Sequence, residues 1–468
     1  MEVKLGKKRE VFWDDYLVDI EKTTAFHRIE EPVKKEVVFT FDKGYENMGV
    51  SYPLIVKVGD IYRMYYTTGN QREDYRFSFY GVIESKNGIH WERPSLNVFD
   101  SGVEGIDNYL FEMDDNAFVF FDTNPDCLPE ERYKAIAREP DKKEDGSDWF
   151  KLRCYTSSDG YNWKKAHVVT DEGRFDTLNT AFWDGEKYVA FIRNIHDMNE
   201  DWSVVTRDVR VMYSRDFKEW TTPKMIEFDD GLDYGLYTNN ISLYERAPHI
   251  MVGFPTRYIE KMTWEGSTKQ LASYKVKKEA SEKLDIDRVG RAVTDAIFMC
   301  SRDGEIWHRY NEAFFRNGYE NSDNWVYGDG YPSYGFVDSG KESYYMYQID
   351  KSRSMGEPKP MYRYEIRKDG FACIMAGGDE KTVITKPLVF EGSELHLNFS
   401  GSAYGYMYVD VLDEDCNQIS PESYEIYGDT IDRTVIFPDG SDFSGYAGKT
   451  VRLRFRMRDT KLYSMKFE

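Results

Sequence analysis

The stretch Ser301-Arg-Asp-Gly-Glu-Ile-Trp307 contains the pattern that decides the fold: Ser, any residue, Asp or Asn, a turn residue, two more residues, then Trp. The same pattern recurs at residues 85–91, 157–163 and 214–220, and a degenerate fifth copy occupies residues 367–371. Asp-Gly or Asn-Gly between two apolar runs is a strong hairpin signal, because the central residues must adopt positive φ. The Trp closes each hairpin and offers a large apolar face to the neighbouring unit.

Five such hairpins along one chain of 468 residues indicate a repeat array rather than isolated turns. Units of four strands arranged radially form a β-propeller. The Trp hairpins stop near residue 380, and alternating runs such as Gly405-Tyr-Met-Tyr-Val-Asp-Val-Leu follow. The sequence therefore predicts an all-β chain, with a five-bladed β-propeller over residues 1–380 and a C-terminal β-sandwich over residues 381–468.

Residues 259–291 interrupt the fourth unit with a charged, helix-permissive segment. We expect helix to be sparse elsewhere. An excursion of about 30 residues in a compact domain is typical of a functional lid or of an arm that forms an oligomer interface. The alternative is a solvated surface helix.

The composition restricts the partners. A formal net charge of −21 argues against nucleic acid and against an anionic membrane surface, since both need basic patches. No apolar run is long enough to span a bilayer, and no signal peptide is visible, so a cytoplasmic location is expected unless the chain has been trimmed. The five dispersed Cys predict neither a disulfide framework nor a zinc site, and we expect no metal and no cofactor.

Propeller topology sorts the polar residues between two faces. The hairpins that join strands A–B and C–D share one face, where Asp159, Asp216 and Asp303 are predicted to form turns rather than to catalyse. The A–B turn of unit four, which carries Glu245, Arg246 and His249, shares that face. The opposite face, here called the funnel face, collects the starts of strands A and C and the ends of strand B.

The funnel face is predicted to carry side chains suited to carbohydrate, because carboxylates and amides bond hydroxyl groups while aromatic faces pack against sugar rings. The predicted catalytic carboxylates are Glu46, Asp176, Asp295 and Asp329. The predicted substrate-binding residues are Tyr52, Asn116, Asn179, Tyr237, Asn239, Arg138, Arg193, Arg257, Trp325, Tyr327 and Tyr331. Asn47 and Asp115 lie at strand starts on the same face.

Three segments carry a family resemblance: residues 52–67, residues 115–122 and residues 179–191. The chain resembles the five-bladed propeller glycoside hydrolases of families 43 and 32 and their relatives, including the family 130 phosphorylases, and it looks like a bacterial branch of them. The resemblance implies a carbohydrate-active propeller acting on an oligo- or polysaccharide. The positions of the family 43 carboxylates hold Tyr52-Pro53, Asn116 and Asn179 here, so the resemblance implies a relocated acid and base.

Three functions follow as hypotheses. The first is a glycoside hydrolase, which needs one carboxyl as acid and another as base or nucleophile; Glu46 and Asp176 are the preferred pair. The second is a binding-only carbohydrate propeller, in which no two carboxyls converge on one sugar-sized pocket. The third is a phosphorylase, in which arginines bind phosphate beside a sugar.

The ends of strand B carry Arg138, Arg193 and Arg257. Three guanidinium groups around one opening predict a substrate with an acidic group, such as a uronic acid or a sugar phosphate. The alternative is that each Arg neutralises and orients a neighbouring carboxylate.

Overall fold

The computed structural model describes residues 2–46, 49–69, 78–100, 105–113, 116–143, 145–198, 205–261, 263–264, 266–284, 287–351 and 357–468. Its strands form five radially arranged sheets and a further C-terminal sheet, which confirms the predicted all-β propeller. In blades one to three, consecutive strands pair antiparallel in chain order from the inside outwards. Their strands are Val50–Val58, Ile61–Gly69, Ser78–Ser85 and Tyr109–Met113; Ala117–Phe121, Tyr133–Lys142, Asp148–Ser157 and Lys164–Thr170; and Thr180–Trp183, Tyr188–His196, Thr206–Ser214 and Lys224–Met225.

Blade four is more elaborate because its second and third strands continue beyond the sheet as a separate pair. Its strands are Ser242–Tyr244, Ala247–Gly253, Met299–Ser301 and Ile306–Arg309, with Glu227–Phe228 added in parallel at the outer edge. The extension consists of Thr256–Glu260 and Ala292–Ala296. The helical insertion connects these two strands on the funnel face.

Blade five is closed by the N-terminal part of the chain. Its inner strands are Val337–Asp338, Ser343–Ile349 and Lys359–Arg367, and its outermost strand is Val33–Phe41. The sequence placed the fifth hairpin, ending at Phe371, at this outer position, and that expectation was wrong. The strand after the hairpin, Ala372–Ala376, instead pairs with strands of the C-terminal sheet.

The other four hairpins turn at the predicted positions. The expectation that both central residues adopt positive φ was wrong, because only the second one does so in each turn: Gly88, Gly160, Phe217 and Gly304. In the second, the Oδ1 atom of Asp159 accepts hydrogen bonds from the backbone N–H groups of Tyr161 and Asn162, each at 2.8 Å, and Ser157 Oγ accepts from Gly160 N at 2.9 Å. Asn87, Asp216 and Asp303 accept equivalent bonds. These aspartates are therefore turn formers, as predicted, because their carboxylates are engaged by their own backbone.

The hairpin tryptophans pack between blades. The Trp91 ring meets Tyr347 of blade five edge-on at 5.5 Å, and Trp307 meets Phe191 of blade three at 5.7 Å. Both tryptophans are buried. The repeated pattern thus places an aromatic ring at the interface of blades one and five and at that of blades three and four, where it packs neighbouring blades together.

The C-terminal sheet combines both ends of the chain around its own hydrophobic core. Its strands are Glu10–Val11, Phe26–Ile29, Ala372–Ala376, Lys381–Ile384, Leu395–Leu412, Asp429–Thr434 and Arg452–Phe467, and Val3–Gly6 pairs in parallel with Leu388–Phe390 nearby. A division at residue 380 stays a prediction, and the pairing adds residues 3–29 to the C-terminal side, which the sequence did not suggest.

The helices lie where the sequence placed them. Within the described ranges, α-helix occurs at Ser267–Gln270, Tyr274–Leu284 and Asp287–Arg291, and short 3-10 helices at Ile20–Lys22, Gly44–Glu46, Pro129–Glu131 and Phe443–Tyr446. None of the helices in this part of the chain has the length and apolar character needed to cross a bilayer. The helical insertion, residues 267–291, packs on the funnel face.

Candidate functional site

Two cavities open on the funnel face among the residues that the structure describes. The first, here called the arginine pocket, has a volume of about 220 Å³ and lies over blades two and three. The second, here called the aspartate cavity, has a volume of about 840 Å³ and lies between blades four and five. The polar residues that line the pocket are Arg138, Arg174, Asp176, Arg193, Arg207 and Arg288. The lining of the cavity includes Arg257, Asp295, Asn317, Trp325 and Tyr364.

The arginine pocket brings two of the three predicted arginines together. Arg138 and Arg193 leave strand B of blades two and three, and Asp176 precedes the first strand of blade three. Asp176 Oδ1 lies 3.3 Å from Arg193 Nε, so the predicted carboxylate and arginine are neighbours. The Asp176 side chain is 42% exposed, which leaves it accessible from the cavity.

Four tyrosines form a cluster beside this pocket: Tyr52, Tyr237, Tyr327 and Tyr331. The rings of Tyr237 and Tyr331 stack at 6.0 Å, and the Tyr237 and Tyr327 hydroxyls are 2.8 Å apart. Tyr52 meets Tyr331 at 6.0 Å and adopts a φ of 52°. A non-glycine residue with positive φ is strained, and such strain is concentrated at functional sites. All four were predicted from the sequence to share this face.

The third predicted arginine belongs to the aspartate cavity. Arg257 makes two hydrogen bonds with Asp295, from Nε at 2.7 Å and from Nη2 at 2.6 Å. This matched pair is the alternative stated from the sequence, in which the guanidinium neutralises and orients a carboxylate. Three arginines therefore do not ring one opening.

Asp329 lies behind the wall of the aspartate cavity. Its Oδ2 atom accepts hydrogen bonds from Val326 N at 3.2 Å and from Asn317 Nδ2 at 3.4 Å. The side chain is almost wholly buried, and burial raises the pKa of Asp329 to about 7. A carboxyl group with such a pKa is partly protonated at neutral pH.

Asp295 and Asp329 lie on adjoining backbones. The Thr294 hydroxyl donates to the Asp329 carbonyl oxygen at 2.7 Å, and a Cβ atom added at Gly330 would meet the Asp295 Cα at 2.6 Å. Only glycine fits at that position, since its φ of 64° is also unfavourable for other residues. The close approach brings two of the four predicted carboxylates into one region.

The helical insertion spans the two cavities. Arg288, on the helix Asp287–Arg291, lines the arginine pocket. Lys277, on the preceding helix, is buried and donates hydrogen bonds to the carbonyl oxygens of Ala292 and Trp325, each at 3.0 Å. Burial lowers the pKa of Lys277 to about 8. These contacts show that the insertion is packed against the propeller and is not a freely solvated helix; its role as a lid or as an oligomer arm stays a prediction.

Glu46 does not join the other three carboxylates. Its fully buried side chain accepts hydrogen bonds from Tyr66 at 2.9 Å, from Arg93 Nη2 at 2.6 Å and from Lys43 N at 3.1 Å. None of these partners lines either cavity. Glu46 therefore has a structural environment within blade one, and we do not retain it in the proposed site.

Two predicted amides are also occupied by the scaffold. Asn179 donates to the carbonyls of Phe175 and Thr177 and accepts from Arg193 N at 2.8 Å. Asn239 Oδ1 accepts from Thr180 and from Ile241 N, at 2.9 and 3.1 Å, and its amide donates to two backbone carbonyls. Both side chains are nearly inaccessible, so they join strands rather than bind a ligand.

The remaining predictions divide as follows. Trp325 lines the aspartate cavity, whereas Asn116 is buried at the start of blade two. Asn47 and Asp115 lie outside the described residues. The catalytic and binding roles assigned from the sequence stay predictions.

Sequence reasoning missed Arg174, Arg207, Arg288 and Asn317. Arg207 lies at the start of the third strand of blade three, Thr206–Ser214. The rule that selected Asp295 at the corresponding position of blade four would have found it. Arg288 had no such signal, because its position depends on how the insertion folds back.

One exposed group offers potential metal ligands: His196, Asp197 and Asp233 place ligand atoms within 4.8 Å of one another. His196 bonds to Asp208 at 3.0 Å and to Asp233 at 2.8 Å. Although burial opposes it, the hydrogen bonds to Asp233 and Asp208 raise the pKa of His196. These contacts engage both imidazole nitrogens of His196 with carboxylates.

No protein-family model matches the sequence, and no curated protein matches it either. Solved structures do resemble it. An N-acetylgalactosamine deacetylase from F. plautii has 12% identity and a TM-score of 0.44, over 74% of this chain and 96% of that one. A structure from the GH130 family of mannoside phosphorylases, which contains hydrolases of β-1,2 mannosidic linkages in Candida mannan, has 15% identity and a TM-score of 0.42, over 73% and 94%.

Sucrose-6-phosphate hydrolase from Lactobacillus gasseri has 9% identity and a TM-score of 0.39, over 88% of this chain and 81% of that one. At identities this low, the likeness concerns the fold alone. The five-bladed assignment rests on the strand pairing itself.

Proposed function

We propose that the chain is a carbohydrate-active enzyme, a glycoside hydrolase that cleaves a glycan bound in the aspartate cavity. The observation that carries the proposal is Asp329, a buried carboxyl group whose pKa is raised to about 7 behind a cavity large enough for a sugar. Small-molecule sites are commonly concave and of 300–1,000 Å³, and a titratable group with a shifted pKa marks such a site.

Asp329 acts as the general acid. Glycosidic cleavage needs a carboxylic acid that is still protonated at neutral pH and that transfers its proton to the departing oxygen. Burial meets this requirement for Asp329, and its hydrogen bonds from Val326 N and Asn317 fix the carboxyl group in one orientation.

Asp295 supplies the second carboxylate. Its bidentate contact with Arg257 holds it in place at the cavity wall, and it adjoins the Asp329 backbone through Thr294 and Gly330. It either activates water or attacks the anomeric carbon, according to whether the enzyme inverts or retains configuration. In both cases the products are a free reducing sugar and the protonated leaving group.

The test is hydrolysis of a panel of aryl glycosides by the wild-type chain and by Asp329→Asn and Asp295→Asn. We expect each variant to lower turnover by at least about a hundredfold, the usual scale for a lost acid or base. Asp338→Asn, in a hairpin on the opposite face, is the matched control and should keep full activity. The wild-type rate should fall above about pH 7, as Asp329 loses its proton.

Full activity in Asp329→Asn would refute the assignment. Saturable binding of a glycan by the wild type, without any hydrolysis, would instead identify a binding-only propeller.

A further inference from the structure

The arginine pocket has a charge imbalance that the aspartate cavity lacks. Five guanidinium groups, those of Arg138, Arg174, Arg193, Arg207 and Arg288, line about 220 Å³. Among the described residues that line it, Asp176 is the one carboxylate. In a chain with a net charge of −21, such local excess of positive charge does not follow from composition.

Arg207 shows the imbalance most clearly. Its guanidinium packs over the Tyr258 ring at 3.9 Å and lies 5.8 Å from the Tyr237 ring. Its Nε atom is buried, and within the described part of the chain it has no hydrogen-bond partner. No ion pair joins Arg207 to any described carboxylate, although the residue is only 9% exposed. A buried guanidinium N–H group without a hydrogen-bond acceptor is costly unless a ligand supplies one.

The neighbouring arginines reinforce this point. Burial lowers the pKa of Arg174; the negative charge of Asp176 opposes this shift, and the positive charges of Arg138 and Arg193 add to it. Like charges that lie close enough to perturb one another would be stabilised by an anion placed between them. Guanidinium groups bind carboxylate and phosphate through paired, charge-assisted hydrogen bonds.

We propose that the arginine pocket binds a small oxyanion, a carboxylate or a phosphate, carried by a sugar. Only the sugar part of this inference rests on the proposed function; the anion part follows from the pocket alone. Arg207 and Arg193 bind the oxyanion from the propeller, Arg288 closes over it from the insertion, and the tyrosine cluster lies alongside. The pocket thereby selects acidic substrates, while the chemistry takes place at Asp329.

The test is calorimetric titration with four probes: D-glucose, D-glucuronate, D-glucose 6-phosphate and inorganic phosphate. We expect at least one anion to bind roughly tenfold or more tightly than glucose, because charge-assisted hydrogen bonds are the strong ones. The preference should weaken at high salt, as exposed charges are screened. The tightest of the three anions identifies the source of the oxyanion.

Arg207→Gln should weaken anion binding by roughly tenfold or more. Arg458→Gln is the matched control: it also removes one guanidinium stacked on a tyrosine, but on the C-terminal sheet, and it should bind as the wild type does. If Arg207→Gln unfolds, Arg288→Gln tests the same pocket from the insertion. Circular dichroism establishes which variants are folded.

Asp329→Asn separates the two proposals, because it should abolish hydrolysis and leave anion affinity unchanged. Equal affinity for glucose and for all three anions, or wild-type anion affinity in folded variants of both Arg207 and Arg288, would overturn the oxyanion site without bearing on hydrolysis.

Discussion

Two regions of this molecule bury an aspartate, and the pKa of the carboxyl group is shifted in opposite directions in the two. At the junction between the propeller and the C-terminal sheet, Asp369 accepts hydrogen bonds from Tyr244 at 2.6 Å, Arg246 at 2.8 Å and Ser464 at 2.6 Å. Although burial opposes it, the charges of Arg246 and Arg9 hold the pKa of Asp369 below its usual value. On the funnel face, none of the described side chains forms an ion pair with Asp329. Although the positive charge of Lys277 opposes it, burial raises the pKa of Asp329 to about 7.

The difference shows that burial alone does not decide whether the pKa of an aspartate is raised or lowered. At the junction every nearby guanidinium faces a carboxylate, so the charges serve packing. On the funnel face the arginines exceed the carboxylates among the described residues that line one cavity, and a buried carboxyl group with a raised pKa lies behind the other. Mismatched charge costs stability, and proteins retain it chiefly where a ligand or a reaction needs it.

The largest expected effect is at the junction. Asp369→Asn should lower the free energy of unfolding by about 3–5 kcal/mol, because Arg246 and Arg9 lose a buried carboxylate. Asn tolerates the positive φ of 60° at this position, so the backbone adds little to the cost. Urea denaturation at neutral pH measures it. A loss below about 1 kcal/mol would mean that the junction charges are not matched as described.

The contribution of Asp329 to stability should change with pH in the opposite direction to that of Asp369. Because its pKa is raised from 3.8 to about 7 on folding, the folded chain binds a proton that the unfolded chain has released. Its stabilising contribution is therefore complete below about pH 4 and falls as pH rises towards 7, by at most roughly 1.4 kcal/mol per pH unit.

Asp329→Asn removes this titration. The difference in stability between wild type and variant should hence slope with pH between about 4 and 7 and be flat above it. Denaturant titrations at several pH values test this. Parallel curves over the whole range would show that Asp329 ionises normally.

Glu46→Gln should lower stability, as Asp369→Asn does, and should not affect catalysis. Loss of the charged hydrogen bonds to Arg93 should cost about 2 kcal/mol of unfolding free energy, while glycoside turnover stays at the wild-type level. Thermal unfolding and an activity assay on the same sample measure both. A hundredfold loss of turnover in a fully folded variant would restore Glu46 to the catalytic site.

Arg207→Gln should have the smallest effect on stability. Arg207 has no carboxylate partner among the described residues, so its removal should change the unfolding free energy by less than about 1 kcal/mol. Arg246→Gln, the paired counterpart at the junction, should cost more. Equal losses of unfolding free energy in the two variants would contradict the proposed difference in charge pairing between the two regions.

The sequence was a good guide to what repeats locally. The Ser-x-Asp-Gly turns of residues 157–160 and 301–304 predict their own hydrogen bonds, and the tyrosines at strand starts were placed on the correct face. It failed for contacts between distant segments. Glu46 meets Arg93, 47 residues away, and Val33–Phe41 pairs with Lys359–Arg367, and neither contact leaves a local trace.

The candidate site follows the same division. Asp295 and Asp329 were found because strand starts converge on one face of a propeller. The position of Asn239 in the sequence does not reveal that its amide N–H groups donate to Leu178 and Phe191 carbonyls of the neighbouring blade, nor that its oxygen accepts from Thr180 and Ile241. The excess of arginines could not be counted from the sequence, since Arg288 reaches the pocket from the insertion.

The strand that closes blade five leaves the ribosome long before its partner. At synthesis rates of about 5–20 residues per second, roughly 320 further residues and about 15–65 seconds separate Val33–Phe41 from Lys359–Arg367. During that interval the nascent chain carries an unpaired strand that could join a strand of another molecule. Its sequence, Val33-Lys-Lys-Glu-Val-Val-Phe-Thr-Phe41, places three consecutive charges at one end. Charged residues beside an unpaired strand disfavour its pairing with another chain, so we expect these charges to limit aggregation until the five blades close into a ring.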